Sequence, residues 1–116
     1  MKYVLIIYQG TTPLPGTDRW KALPHAEQKQ IYADYAELGK TPGVSQGLPL
    51  GLPEKARTVR VKDGKVEVQD GPYQEGAGGY SVYEAESIEA AIELAAKIPA
   101  ARLGGAIEIR PVETYW

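Results

Sequence analysis

Tyr3-Val4-Leu5-Ile6-Ile7-Tyr8 is the stretch that decides the fold. The residues between the two tyrosines are all apolar and mostly β-branched, with no polar residue alternating among them. A strand of this kind is covered on both faces and belongs inside a sheet. The run is far too short for a membrane span or a signal-peptide core. It therefore predicts a central strand, and a sheet with two faces to cover.

Working outward, Gly10 to Gly16 combines proline, glycine and threonine and reads as a loop. Ile31, Tyr35 and Leu38 fall at i, i+4 and i+7, which predicts a helix over roughly Pro24 to Leu38, closed by Gly39 and stopped by Pro42. Val44 to Leu50 is a short strand candidate interrupted by Gly and Pro. Arg57-Thr58-Val59-Arg60-Val61-Lys62 alternates cleanly, and Asp63-Gly64 turns it into Val66-Glu67-Val68 as a hairpin. A strand follows from Gly79 to Ala85. Ser87 is a natural N-cap for a helix marked by Ile88, Ala91, Ile92, Ala95 and Ile98 and ended by Pro99. Gly104-Gly105 leads into a last strand, Ala106 to Arg110.

The order β-α-β-β-β-β-α-β predicts an α+β domain spanning residues 1–116, a ferredoxin-like split βαβ sandwich with an added β-hairpin. Two helices cover one face of such a sheet. The other face of the Tyr3–Tyr8 strand then calls for a second copy of the chain, a homodimer with sheets facing each other. Ile107 and Ile109 suit the helix side, which sends Glu108 and Arg110 toward the partner.

Composition narrows the functions open to the chain. Thirteen basic residues against 15 acidic give a net charge of −2, with no basic stripe for nucleic acid and no polybasic membrane patch. The absence of Cys removes thiol nucleophiles, disulfides and zinc–thiolate sites and fits a cytoplasmic protein. There is no dinucleotide fingerprint and no P-loop, and one His rules out a His-rich metal cluster, so no cofactor or metal is expected. All aromatic surface comes from eight Tyr and two Trp, whose polar tips suit a cleft or a subunit interface.

Asp70-Gly71-Pro72-Tyr73, followed by Gly78-Gly79-Tyr80, places an acid and two tyrosines on a loop that enters a strand. With Lys2 to Tyr8, Thr58 to Gly64, Ile98-Pro99-Ala100-Ala101 and Gly105 to Val112, this resembles the YCII-related family, in its DGPF-domain branch. The resemblance implies a dimeric α/β-barrel in a superfamily that includes muconolactone isomerase and a chloromuconolactone dehalogenase. It also keeps a regulatory role in view, because some family genes lie beside those for sigma factors. Two departures stand out. Gln74-Glu75-Gly76-Ala77 is shorter than the family's usual loop and lacks its Lys, and Ile98 stands before Pro99 where YCII relatives carry an Asp.

Several residues are candidates for a site. Asp70 is read as a general base or as a turn carboxylate, and His25 as a neutral base at a helix start or as a surface residue. Tyr73 and Tyr80 are read as hydroxyl donors or interface packing, Glu75 as a second acid or a solvated side chain, and Arg110 as an anion fork or the partner of Glu108. Together they predict a small-molecule cleft with cofactor-free acid–base chemistry, isomerase- or lyase-like, on an anionic or lactone-like substrate. The alternative is a non-catalytic ligand sensor or protein-interaction module.

Overall fold

In the computed structural model, which describes residues 1–74 and 76–115, the elements run β1 (Lys2–Tyr8), α1 (Asp18–Lys21), α2 (His25–Lys40), β2 (Val44–Gln46), β3 (Arg57–Lys62), β4 (Lys65–Asp70), β5 (Ala77–Glu84), α3 (Ile88–Ala96), α4 (Pro99–Arg102) and β6 (Ala106–Pro111). Strand order in the main sheet is β2-β5-β1-β6, with every neighbouring pair antiparallel. The Tyr3–Tyr8 run is thus an inner strand, as its composition requires. This is a mixed α and β arrangement compatible with an α+β ferredoxin-like fold. The β3–β4 hairpin is a separate two-stranded sheet inserted between β2 and β5.

Alternate residues of β1 divide the two faces. Tyr3, Leu5 and Ile7 are buried against the helices, Leu5 completely. Leu5 lies opposite Ser81 and Ile109, and Ile7 opposite Gly79 and Ile107, so both isoleucines of β6 join the core as expected. Ile31 and Leu38 of α2, and Ala91 and Leu94 of α3, are buried on the helix side. The other sheet face carries Val4, Ile6, Tyr8 and Val82, each half-buried, with Tyr80, Glu108 and Arg110 exposed. At 19 Å in its thinnest direction, the molecule has the depth of one sheet and one helix layer.

The hairpin projects from this body. Its turn residues Asp63 and Gly64 take φ of 52° and 75°, the left-handed pair that a two-residue hairpin turn needs. Val59, Val61, Val66 and Val68 share one face, and each is more than 60% exposed. The radius of gyration, 16.1 Å, exceeds the roughly 13 Å of a compact chain this long because of that arm.

Four local expectations need correction. Gly39 does not close α2; the helix continues to Lys40, and the left-handed turn falls at Gly43 (φ 86°). Leu48 and Leu50 are not strand, since β2 ends at Gln46. Pro99 starts a second short helix, because proline suits a first helical turn. The apolar stripe of α3 is also rotated. Ala91, Leu94 and Ala95 face the core, where the alanines allow close approach to the sheet, while Ile88 and Ile92 are exposed. Ser87 caps α3 as expected, accepting a hydrogen bond from the Ala90 N–H at 3.2 Å.

Candidate functional site

A concavity with apolar walls lies on the helix side of the sheet, an open cleft of about 580 Å³. Its floor is Ile7, Gly79 and Ser81, and Tyr35 and Leu38 of α2 form one side. Opposite stands the 47–55 segment, Gly47-Leu48-Pro49-Leu50-Gly51-Leu52-Pro53-Glu54-Lys55, whose proline and glycine content keeps it irregular as far as Leu52, where a single 3-10 turn, Pro53–Lys55, begins. Two backbone bonds strap that segment to β5. Gly47 N–H donates to the Tyr80 carbonyl at 2.9 Å, and Leu50 N–H to the Gly78 carbonyl at 3.1 Å. A Cβ on Gly47 would meet the exposed Tyr80 ring, which would have to turn aside for a larger residue.

Leu14 to Thr17 supply the remaining wall. The loop is anchored by α1, which sequence patterning does not reveal. Thr17 caps this one-turn helix by accepting from the Trp20 N–H. Trp20 is buried and meets the Tyr32 ring of α2 edge-on, with ring centroids 5.3 Å apart. Gln28 of α2 donates from Nε2 to the Trp20 carbonyl at 2.9 Å.

Gly79 matters most to the floor. It lies opposite Ile7 in register, and a Cβ there would find no atom nearer than 4.0 Å. Its missing side chain is space that the cleft occupies. Tyr35 and Lys55 are the ionisable side chains on the cleft; Tyr80 also borders it, but its register opposite Ile6 sends its side chain to the other sheet face. Burial raises the pKa of Tyr35 above its ordinary value, so its hydroxyl keeps its proton well beyond neutral pH.

A second depression, of about 700 Å³, adjoins the first and shares Gln9, Leu14, Thr17, Leu52 and Pro53 with it. It adds Thr12 and carries Asp18, Arg19 and Glu54. Among the described residues no three His, Asp or Glu side chains are grouped to hold a metal.

A family model for the YCII-related domain matches residues 1–115. The chain belongs to the YCII-related family. Among curated proteins, nothing matches it. No described helix of this YCII-related protein is long and apolar enough to cross a membrane.

The residues singled out from sequence are spread across this YCII-related domain. Tyr80 is the one that borders the cleft. Asp70 ends β4 on the projecting hairpin, 87% exposed, with its carboxylate 3.1 Å from Arg57 Nε. Tyr73 is exposed just beyond, with the Arg60 guanidinium 5.9 Å from its ring centroid. His25 opens α2 and is exposed, and no hydrogen bond or ion pair joins it to Asp70. Arg110 lies on the open sheet face, 3.9 Å from Glu108. Glu75 lies outside the described residues.

Sequence reading passed over Gln9, Thr12 and the leucines of the 47–55 segment. The available signal was Leu48-Pro-Leu50-Gly-Leu52-Pro, where every second residue is a large apolar one that no strand or helix can bury.

Proposed function

We propose that this YCII-related protein binds a small molecule in the cleft between α2 and the 47–55 segment. The observation that carries this is the floor at Gly79, an unfilled position under walls of Leu14, Leu48, Leu50 and Leu52. Concave, mostly apolar sites with a few polar groups are where small ligands bind. Leu48 and Leu50 are 76% and 50% exposed, and a ligand would give them the apolar cover the chain does not. Binding is favoured over acid–base catalysis because the cleft has Tyr35 and Lys55 as its ionisable side chains, whereas Asp70 and His25 lie elsewhere.

The functional unit in this proposal is a homodimer. Val4, Ile6, Tyr8 and Val82 form a half-buried apolar strip on a sheet face that no helix or strand among the described residues covers, and the hairpin valines add a second. Exposed apolar patches of this kind mark association surfaces. A cytoplasmic setting agrees with the absence of cysteine.

Gly79→Leu is the direct test. Its backbone has no left-handed strain and the new side chain has room, so the fold should hold. Titrations with six-carbon alcohols, amides and lactones, followed by amide chemical shifts, should show saturable binding around Leu50 and Tyr80 in the natural chain and none in the variant. Equal binding by a folded Gly79→Leu variant would place the ligand elsewhere.

A further inference from the structure

Two buried polar atoms beside the cleft have no hydrogen-bond partner among the described residues. Gln9 Oε1 and Thr12 Oγ1 are shut off from solvent and make no hydrogen bond to any described group. Their neighbours on the same loop do. Thr17 Oγ1 donates to the Leu14 carbonyl at 2.6 Å and accepts from Trp20 N–H, and Thr12 N–H donates to the Gln9 carbonyl at 2.9 Å. Thr12 as a whole is 8% exposed. A buried group left unpaired costs stability, and one that persists calls for a reason.

Both residues line the second depression, on a loop held in place from behind. Gly10, between them, has φ 55° and packs on the Gly104 backbone, while Thr11 N–H donates to the Gly104 carbonyl at 3.2 Å. The backbone that carries the two residues is therefore held before any ligand arrives.

We infer that Gln9 and Thr12 form a polar subsite at the head of the cleft, which takes the hydroxyl or N–H group of an uncharged amphipathic ligand whose apolar body lies along Leu50 and Leu52. This rests on the ligand-binding reading above. The chemistry of the two atoms sets the ligand class. Gln9 Oε1 only accepts, so the ligand must donate to it. The Thr12 hydroxyl can donate or accept, so an alcohol or a primary amide satisfies both at once. A carboxylate offers Gln9 no proton and meets Asp18 and Glu54 in the same depression. Arg19 donates from Nη1 to the Thr11 carbonyl at 3.1 Å and keeps its charge, which offsets one of the two acids of the depression.

The experiment is calorimetric or NMR titration of the full chain with 1-hexanol, hexanamide and hexanoate, repeated with Thr12→Val and Thr12→Ser. Hexanol and hexanamide should bind, and hexanoate should be weaker by about tenfold or more, since it loses a donor and meets like charge. Thr12→Val should weaken hexanamide by roughly three- to tenfold. The same variant should raise the melting temperature of the free protein, because the unpaired hydroxyl is gone. Thr12→Ser, which keeps the hydroxyl, should retain affinity. Hexanamide binding that is lost in Gly79→Leu but unchanged in Thr12→Val overturns the subsite and leaves the cleft standing. Hexanoate binding as tightly as hexanamide also overturns it, and no binding by any probe removes cleft and subsite together.

Discussion

Arg57 Nε stands 3.1 Å from Asp70 Oδ1 across the first residue pair of the β3–β4 hairpin, so the acid of the Asp-Gly-Pro-Tyr signature is engaged with its own arm. The next residue completes a clasp. Gly71 takes φ 91°, its N–H donates to the Ala56 carbonyl at 2.8 Å, and its carbonyl accepts from the Thr58 hydroxyl at 2.9 Å. Ala56 directly follows Lys55, at the end of the segment that walls the cleft. The signature thus ties the base of the arm to the wall of the cleft.

Asp70→Asn should accordingly be mild. The ion pair is solvent-exposed, and such pairs contribute less than about 1 kcal/mol. Arg57→Gln should cost a similar amount, and the double variant less than the sum of the two, as expected for partners. Urea unfolding of the three variants measures this. Ligand affinity in the cleft should not change; a folded Asp70→Asn protein that fails to bind or turn over a ligand would restore Asp70 to the site.

Two glycines with left-handed backbones separate strain from collision. Gly64→Ala, in a hairpin turn with open space around it, should cost about 1 kcal/mol from backbone strain alone. Gly10→Ala carries that strain and also drives a Cβ into the Gly104 carbonyl, which belongs to backbone and cannot move aside. It should be clearly the more destabilising of the two in thermal melts. It should also weaken ligand binding, because Gln9 and Thr12 flank it, whereas Gly64→Ala should leave binding intact.

How much of this was legible in sequence follows from which interactions are local. The β1 run announced an inner strand because side-chain branching and hydrophobicity act residue by residue, and Asp63-Gly64 announced its turn for the same reason. The Ser87 cap was legible too, since its partner is three residues away. The cleft was not. It forms where Gly79, Tyr35 and Leu50 meet from distant parts of the chain, and its key feature is a side chain that Gly79 lacks. Tyr80 was singled out and does border the cleft, whereas Asp70 and Tyr73 were drawn in by proximity in sequence and the turn carries them onto the arm. Gln9 and Thr12 looked ordinary because an unpaired atom is visible only once every partner has been placed.

Tyr35 gives the protein a specific weakness at alkaline pH. Burial raises its pKa in the folded chain above the ordinary value of about 10, so the unfolded chain loses this proton first. The folded state then holds more protons than the unfolded one above about pH 10, and its stability falls as pH rises through the folded-state value. Below about pH 10 the group makes no difference to the pH dependence. Comparing urea midpoints at pH 9 and pH 11 in the natural chain and in Tyr35→Phe isolates it. The drop should be smaller in the variant; equal drops would mean that Tyr35 titrates as a solvated phenol.

Pairing through the open sheet face makes a prediction that mass alone decides. The natural chain at tens of micromolar should scatter light as a particle of twice the 12.6 kDa chain mass. Ile6 is half-buried on that face, opposite Tyr80 and Glu108, while its neighbours Leu5 and Ile7 fill the core. Ile6→Lys therefore places a charge at the proposed interface without opening the interior. The variant should keep its far-ultraviolet circular dichroism and run as a monomer. Arg110→Ala, at the edge of the same strip, should shift the equilibrium less, because its only close charge is Glu108 at 3.9 Å among the described residues. A natural chain that is monomeric at this concentration would leave the apolar strip for another partner and make the cleft the property of a single chain.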